Sequence, residues 1–392
     1  MRNINLKSQI TDFKLYLLLA VVSLFSCGGQ SVRQQEEGDT IAFRYAKRLT
    51  VVRYAGYTEV TLVNPWHEGK VLHRYMLVPR DAKLPAPVSH HPAATVIRTP
   101  LQRSIVFTTV HCALLQMLHQ EQRIAGVADL KYIKIPYVHQ KVDQGQIVDV
   151  GDGMSPVVER IIDLQPDAIL MSPFENSGGY GRLEDIDIPI VECAEYMEPT
   201  PLARAEWMRF YGMLYGCEQQ ADSLFAVVDS SYHALKELAQ KHQSQLKADN
   251  RKTVLLDKVT GSVWYVPGGR STIGQMIVDA GGSYAWADDE HSGSVSLPFE
   301  SVLEKAGDNR FWLFRFSSAH LLSYAELLSE HRGYNQFRAF REHNAYGCNV
   351  EQSLFYEESP FRPDWLLMDF IHILHPDIPN LPPLRYYEKL RE

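Results

Sequence analysis

From residue 41 to 79, three short, largely apolar runs, "LTVVRY", "TEVTLV" and "KVLHRYMLV", are broken by polar positions. These segments are rich in β-branched and aromatic residues, which predicts strands. Asn64-Pro65 and Glu68-Gly69 supply turns between the last two. A small β meander is therefore expected over 41–92, closed by the proline-rich loop "PRDAKLPAPVSHHP". From about residue 93 the pattern changes. Short runs apolar on both faces ("SIVFTT", "RIAGVA", "DAILMS", "IPIVECA") alternate with segments of helical spacing ("HCALLQMLHQ", "PVVERIIDLQ", "PLARAEWMRFYGMLYG"). Strands without a polar face, alternating with helices, predict a parallel sheet covered on both sides.

Residues 217–248 carry apolar positions three or four apart, at Leu224, Val227, Val228, Leu235 and Leu238. That spacing predicts one long amphipathic helix. A second alternation follows. "TVLLDKV" and "GSVWYVPGG" read as strands, "RSTIGQMIVDAGG" and "PFESVLEKAGD" as helices, and "RFWLFRF" as a strand. "YAELLSEHRGYNQFRAFREHNAYG" is predicted mostly helical, and "PDWLLMDFIHILHP" is a closing helix stopped at Pro376. The expected fold class is α/β, with two similar α/β lobes, 93–216 and 249–392, joined by the helix 217–248 and preceded by the meander.

The first forty residues add a different signal. Arg2, Lys7 and Lys14 precede the twelve-residue apolar run "LYLLLAVVSLFS". That run is too short to span a bilayer as a helix but suits a secretory h-region. "LFSC" then places Cys27 directly after it, with Gly28-Gly29 following, which is similar to the lipobox of bacterial lipoproteins. Residues 1–26 are accordingly expected to be a signal peptide, Cys27 the lipidated residue, and 27–40 a polar tether. The formal net charge of -8 and the lack of basic runs argue against a nucleic-acid partner. Export would permit disulfides, but Cys112, Cys193, Cys217 and Cys348 allow three full pairings and the spacing selects none.

A repeat runs through the two lobes. "SPVVERIIDLQPDAIL" has Glu159 early in a helix and Asp167 eight residues later; "SLPFESVLEKAGD" has Glu300 and Asp308 at the same interval. "HCALLQML" likewise corresponds to "RSTIGQMI". Two related lobes leave a cleft between them, and ligands favour domain junctions and the carboxyl ends of parallel strands. The side chains there are Thr109 and His111 after one strand, Phe174, Tyr180 and Arg182 on the glycine-loosened loop "PFENSGGYGR", and Tyr196 after the next strand. The second lobe offers Arg270, Trp286 and Arg315.

Carried by "VGDGMSPVVERIIDLQPDAILMS", "VPGGRSTIGQMIVDAGG" and "SLPFESVLEKAGD", the chain resembles the periplasmic substrate-binding proteins of iron-complex and cobalamin importers, the class with a single linking helix. The resemblance spans roughly residues 95–377; the meander lies outside it, and Gly307-Asp308 replaces the usual proline-aspartate pair. It implies a receptor that captures a metal chelate and hands it to a permease dimer driven by ATPase subunits. In that class the acids at the positions of Glu159 and Glu300 dock on permease arginines, one per half.

Three guanidinium groups among aromatic rings suit a ferric siderophore or haem better than cobalamin, which is less anionic. Cobalamin, or bare zinc or manganese held by histidines such as His111, are the alternatives within the class. No intrinsic cofactor is implied. A secreted hydrolase would need a Gly-x-Ser-x-Gly turn, and ATP hydrolysis a Walker-type loop; the chain has neither. A binding protein, not an enzyme, is expected.

Overall fold

The computed structural model describes residues 38–84, 94–175, 179–245 and 251–392. The expected signal peptide, Cys27 and most of the tether lie outside these residues. From Asp39 onward the chain forms one compact unit.

The meander is built from β1 (Asp39–Ile41), β2 (Leu49–Tyr54), β3 (Tyr57–Val63) and β4 (Val71–Pro79), each antiparallel to its neighbour. A fifth strand, β5 (Thr95–Thr99), pairs with β4 in parallel. The sheet thus takes up Thr95–Thr99, which the boundary expected at residue 93 assigns to the first lobe. No strand is expected here from the sequence; the segment becomes one because β4 pairs with it in parallel.

Two buried carboxylates fasten the chain before β2 to the rest of the fold. Glu206 accepts the backbone N–H groups of Arg44, Tyr45 and Ala46 at 2.7–2.9 Å. Glu198 accepts those of Lys47 and Arg48, and the Trp207 indole N–H at 2.8 Å. A turn of chain with five consecutive donors is thereby satisfied by side chains rather than by a ladder.

The first lobe comprises β6 (Ser104–Val106), α1 (Thr109–Met117), β7 (Ile124–Val127), α2 (Pro136–Asp143), β8 (Val148–Asp149), the hairpin β9 (Gly151–Asp152) and β10 (Ser155–Pro156), α3 (Val158–Leu164), β11 (Ala168–Met171) and β12 (Ile190–Glu192). Its sheet is wholly parallel, in the order β12-β11-β6-β7-β8. Helices α4 (Pro201–Glu206) and α5 (Met208–Tyr215) follow, where one helix is expected from the sequence. Gly216 ends α5 in the left-handed region at φ 67°, where glycine carries no steric penalty.

Helix α6 (Glu218–Ser244) runs 27 residues, about 40 Å. Its apolar side packs against α5 and against α12 (Pro363–Leu374), so one element touches both lobes.

The second lobe contains β13 (Thr253–Leu256), the hairpin strands β14 (Val259–Thr260) and β15 (Val263–Pro267), α7 (Thr272–Asp279), β16 (Ser283–Tyr284), β17 (Ser294–Leu297), α8 (Phe299–Ala306), β18 (Phe311–Phe316), α9 (Tyr324–Glu330), α10 (Arg338–Arg341), β19 (Ala345–Asn349), α11 (Phe355–Glu358), α12 and β20 (Tyr387–Lys389). Its main sheet has the order β16-β13-β18-β19-β20, parallel except for β20. Strand β19 replaces the end of the stretch expected to be helical. Each lobe begins at an inner strand, β6 or β13, with the chain leaving to opposite sides. That places a topological switch point between β6 and β11 in one lobe, and between β13 and β18 in the other.

Candidate functional site: the cleft between two α/β lobes

At the first switch point, the ends of β6 and β11 deliver Thr108 to Val110 and Met171 to Phe174. A cavity of about 380 Å³ opens beyond the end of β11, beside the β9–β10 hairpin, lined by Met154, Met171, Phe174, Tyr180 and Arg182. At the second, β13 ends in Asp257-Lys258 and β18 in Arg315, around a cavity of about 690 Å³ that also takes in Tyr265 and Tyr356. A smaller cavity of about 210 Å³ joins the lobes, bounded by Val110, Pro201 and Arg204 from the first and by Thr272, Ile273 and Arg315 from the second. Arg315 lines both of the last two. Thr109 spans the junction, its hydroxyl donating to Glu357 at 2.9 Å.

Each arginine of the expected set meets an acid. Arg315 makes a bidentate pair with Asp257, at 3.1 and 2.7 Å. Burial works against its charge, but the Asp257 carboxylate outweighs this and raises its pKa. Arg270 pairs with Glu290 at 3.0 Å, with side chains 65% and 80% exposed. Arg182 pairs with Glu159 at 2.9 Å, with 71% and 65% exposure. The Arg182 hydrogen bond, with a smaller contribution from its charge, lowers the Glu159 pKa. Exposed pairs of this kind hold weakly and open readily to a better partner.

Two expected cleft residues lie elsewhere. Trp286 is only 6% exposed, in the core of the second lobe, with Lys305 5.2 Å from its ring. The glycine pair before Arg270 serves the same packing: a Cβ at Gly269 would stand 2.3 Å from the Ala287 carbonyl oxygen. His111 is 1% exposed, because α1 carries it inward against the chain after β12. Its Nε2 lies 2.9 Å from the Tyr211 hydroxyl and 3.4 Å from Glu195 Oε1, and Tyr211 donates to Glu195 Oε2 at 2.9 Å. Burial alone would lower the His111 pKa; the Cys193 sulfur and the Glu195 carboxylate reverse this and raise it to about 10. Burial would raise that of Glu195, but His111 draws it down to about 2.

His111, Cys193 and Glu195 offer ligand-type atoms within 4.8 Å of one another, all buried. The His111 and Glu195 atoms are engaged in the ion pair and the Tyr211 bonds, so no open metal centre faces the cleft here. The cysteines Cys112, Cys193, Cys217 and Cys348 are all buried free thiols.

Tyr180 and Tyr196 hold the loop that presents Phe174. The Tyr180 hydroxyl donates to Glu192 at 2.7 Å, and that of Tyr196 to the Pro173 carbonyl. Phe174 itself stays exposed, as do Met154, Tyr132, Tyr265 and Tyr356. Glu159 and Glu300 are both exposed, each in the first turn of its helix, α3 and α8. Their repeat partners differ: Asp167 accepts from Arg80 and from the backbone of Gln102 and Arg103, whereas Asp308 has no hydrogen-bond partner among the described residues.

Sequence reasoning passed over Asp257, Lys258 and Tyr356, whose places depend on pairings between distant strands. It also passed over Arg204, which sits in the helical run "PLARAEWMRF" and carries no local sign of a cleft role.

Two doubly wound lobes, one long linking helix and a cleft at paired switch points define a bilobal binding protein. Residues 106–350 match the periplasmic binding protein family, and the chain belongs to that family, the substrate-binding components of ABC importers. An uncharacterized lipoprotein of Methanocaldococcus jannaschii is 25% identical over 368 residues, 87% of this chain and 84% of that one. Among solved structures, a periplasmic heme binding protein from Pseudomonas aeruginosa superposes with a TM-score of 0.56 at 16% identity, covering 74% of this chain and 99% of that one. The periplasmic vitamin B12 binding protein of Vibrio cholerae gives 0.51 at 13%, covering 70% and 97%. These structural likenesses establish the shared fold.

Proposed function

We propose that the protein captures a metal chelate, a ferric siderophore or haem, in the interlobe cleft and delivers it to a permease dimer with its ATPase subunits. The observation that carries this reading is the set of large apolar side chains left exposed around the two switch points: Phe174 and Met154 in the first lobe, Tyr265 and Tyr356 in the second. Apolar groups beside a cavity with a few charged residues are the mark of a ligand site. The similarity to proteins that bind heme and vitamin B12 supports a bulky metal-bearing ligand. The stiff α6 supports a cleft that is largely pre-formed, which limits the ordering cost of binding. In this reading Thr109, Phe174, Tyr180, Arg182, Tyr196, Arg270 and Arg315 form or support the site.

Cobalamin is the second reading, favoured by the acid partner that each of Arg182, Arg270 and Arg315 already has. Calorimetric titration with ferric siderophores, haemin and cyanocobalamin separates the two. For an anionic chelate, Arg315→Ala is expected to weaken binding by about 1.5–3 kcal/mol, the range for hydrogen bonds to charged groups. Arg270→Ala, solvated and already paired, is expected to change it by less than about 1 kcal/mol. Binding of cyanocobalamin alone, indifferent to both changes, would replace the iron-chelate reading.

We place the protein outside the inner membrane, anchored through a lipid on Cys27, a reading supported by the "LFSC" motif and by a relative described as a lipoprotein. Cys27→Ser removes the thiol that accepts the lipid. Metabolic labelling with a fatty acid is expected to mark the wild type and leave the variant unmarked; equal label in both would end the lipoprotein reading.

A further inference from the structure

The small cavity at the lobe junction contains a cation that the fold leaves unanswered. Arg204 lines it, from α4 of the first lobe. Among the described residues its side chain has no hydrogen bond and no ion pair, and its Nε is shut off from solvent without a partner. The acid whose charge acts on it is Glu195. Both Glu195 oxygens are committed, one to His111 and one to the Tyr211 hydroxyl. The other cation on the cavity wall, Arg315, is bound bidentately by Asp257. A guanidinium held partly out of water without an acid is costly unless something else supplies the negative charge.

The rest of the wall has the same sign. Val110 belongs to the first turn of α1, and Thr272 and Ile273 to that of α7. Neither first turn contains an acidic residue. First-turn N–H groups have no acceptor within their own helix, and the helix dipoles add positive potential there. No acid lines this cavity among the described residues; Glu357, next in sequence to the wall residue Tyr356, has its Oε1 taken by the Thr109 hydroxyl, and burial raises its pKa.

We propose that this junction cavity is an oxyanion seat, in which Arg204 binds a carboxylate or inorganic oxyanion group of the ligand between the first turns of α1 and α7. The seat rests on the reading of the cleft as the ligand site and narrows it. A volume of about 210 Å³ admits one anionic group, not a whole chelate. The bulk of the ligand then lies in the flanking cavities, and its charged arm reaches inward.

The test uses the mature chain with Arg204→Gln and Arg204→Lys. Wild type is titrated with ferric citrate and haemin, which carry carboxylates, with neutral ferrichrome and with cyanocobalamin. Phosphate, sulfate, molybdate and citrate are tested alone by calorimetry and thermal shift. Arg204→Gln is expected to weaken every oxyanion-bearing ligand that binds by about tenfold or more, as for a charge-assisted hydrogen bond, while neutral ligands change less than about twofold. Arg204→Lys is expected to recover part of the loss, because it restores charge without the planar fork. Equal losses for charged and neutral ligands, or no loss for an oxyanion that binds the wild type, would overturn the seat. So would a wild type to which no oxyanion binds, free or chelated. Binding of inorganic oxyanions with no chelate bound would keep the seat and remove the chelate reading.

Discussion

Glu206→Ala is expected to destabilise the protein by about 3–5 kcal/mol, the cost of removing one side of a buried charged interaction. The Glu206 side chain is 1% exposed and takes three consecutive backbone N–H groups, from Arg44, Tyr45 and Ala46, besides an Arg209 contact at 3.3 Å. Alanine leaves those donors facing a methyl group, and a buried donor without an acceptor loses its full desolvation cost. The change also releases the turn that leads into β2, so the loss extends to how the meander is held. Glu206→Gln keeps one acceptor oxygen and is expected to cost less. Urea unfolding of the two variants and the wild type measures the difference. A loss below about 1 kcal/mol for the alanine variant would mean that water reaches these amides and that the turn is fastened elsewhere.

The lobes were legible because buried parallel strands and amphipathic helices leave periods of their own. The linking helix follows from the spacing of Leu224, Val228 and Leu235, and its observed bounds, Glu218–Ser244, fall just inside the expected ones. What sequence could not show was set by contacts between distant segments. The segment "AYGCN" has a glycine and no alternation, yet becomes β19 because β18 pairs with it in parallel. At the site, the strand-end rule selected Arg182 and Arg315 but could not foresee that Glu159 and Asp257 reach them from 23 and 58 residues away. His111 was selected for its place after a strand, and it is turned inward by Glu195 and Tyr211, which arrive from beyond β12. Arg204 shows the converse: it faces the junction cavity because α4 lies at the lobe junction, and nothing in its neighbours in sequence says so.

Replacing both Glu159 and Glu300 by arginine is expected to abolish uptake in cells while leaving chelate binding and thermal stability nearly unchanged. Both acids sit in the first turn of a helix that precedes an inner strand, α3 before β11 and α8 before β18. A helix in such a unit runs back along the sheet, so its N-terminus lies at the carboxyl edge of the strands, the side of the cleft. The helix dipole alone would favour a carboxylate there. It does not account for two exposed acids at equivalent places of two lobes that otherwise differ in strand order and in the partners of Asp167 and Asp308. A two-fold permease presenting one cation per half would meet both acids at once, which fixes orientation as well as strength. Glu300 has no ion-pair partner among the described residues and is free to dock. Glu159 must first give up Arg182, and the exposure of that pair makes the exchange easy. The single Glu300→Arg change, at the acid without an ion pair among the described residues, should therefore impair uptake on its own while leaving chelate binding intact. Loss of chelate binding in the double variant would put the acids in the ligand site; normal uptake would reduce the repeat to shared ancestry and helix-end electrostatics.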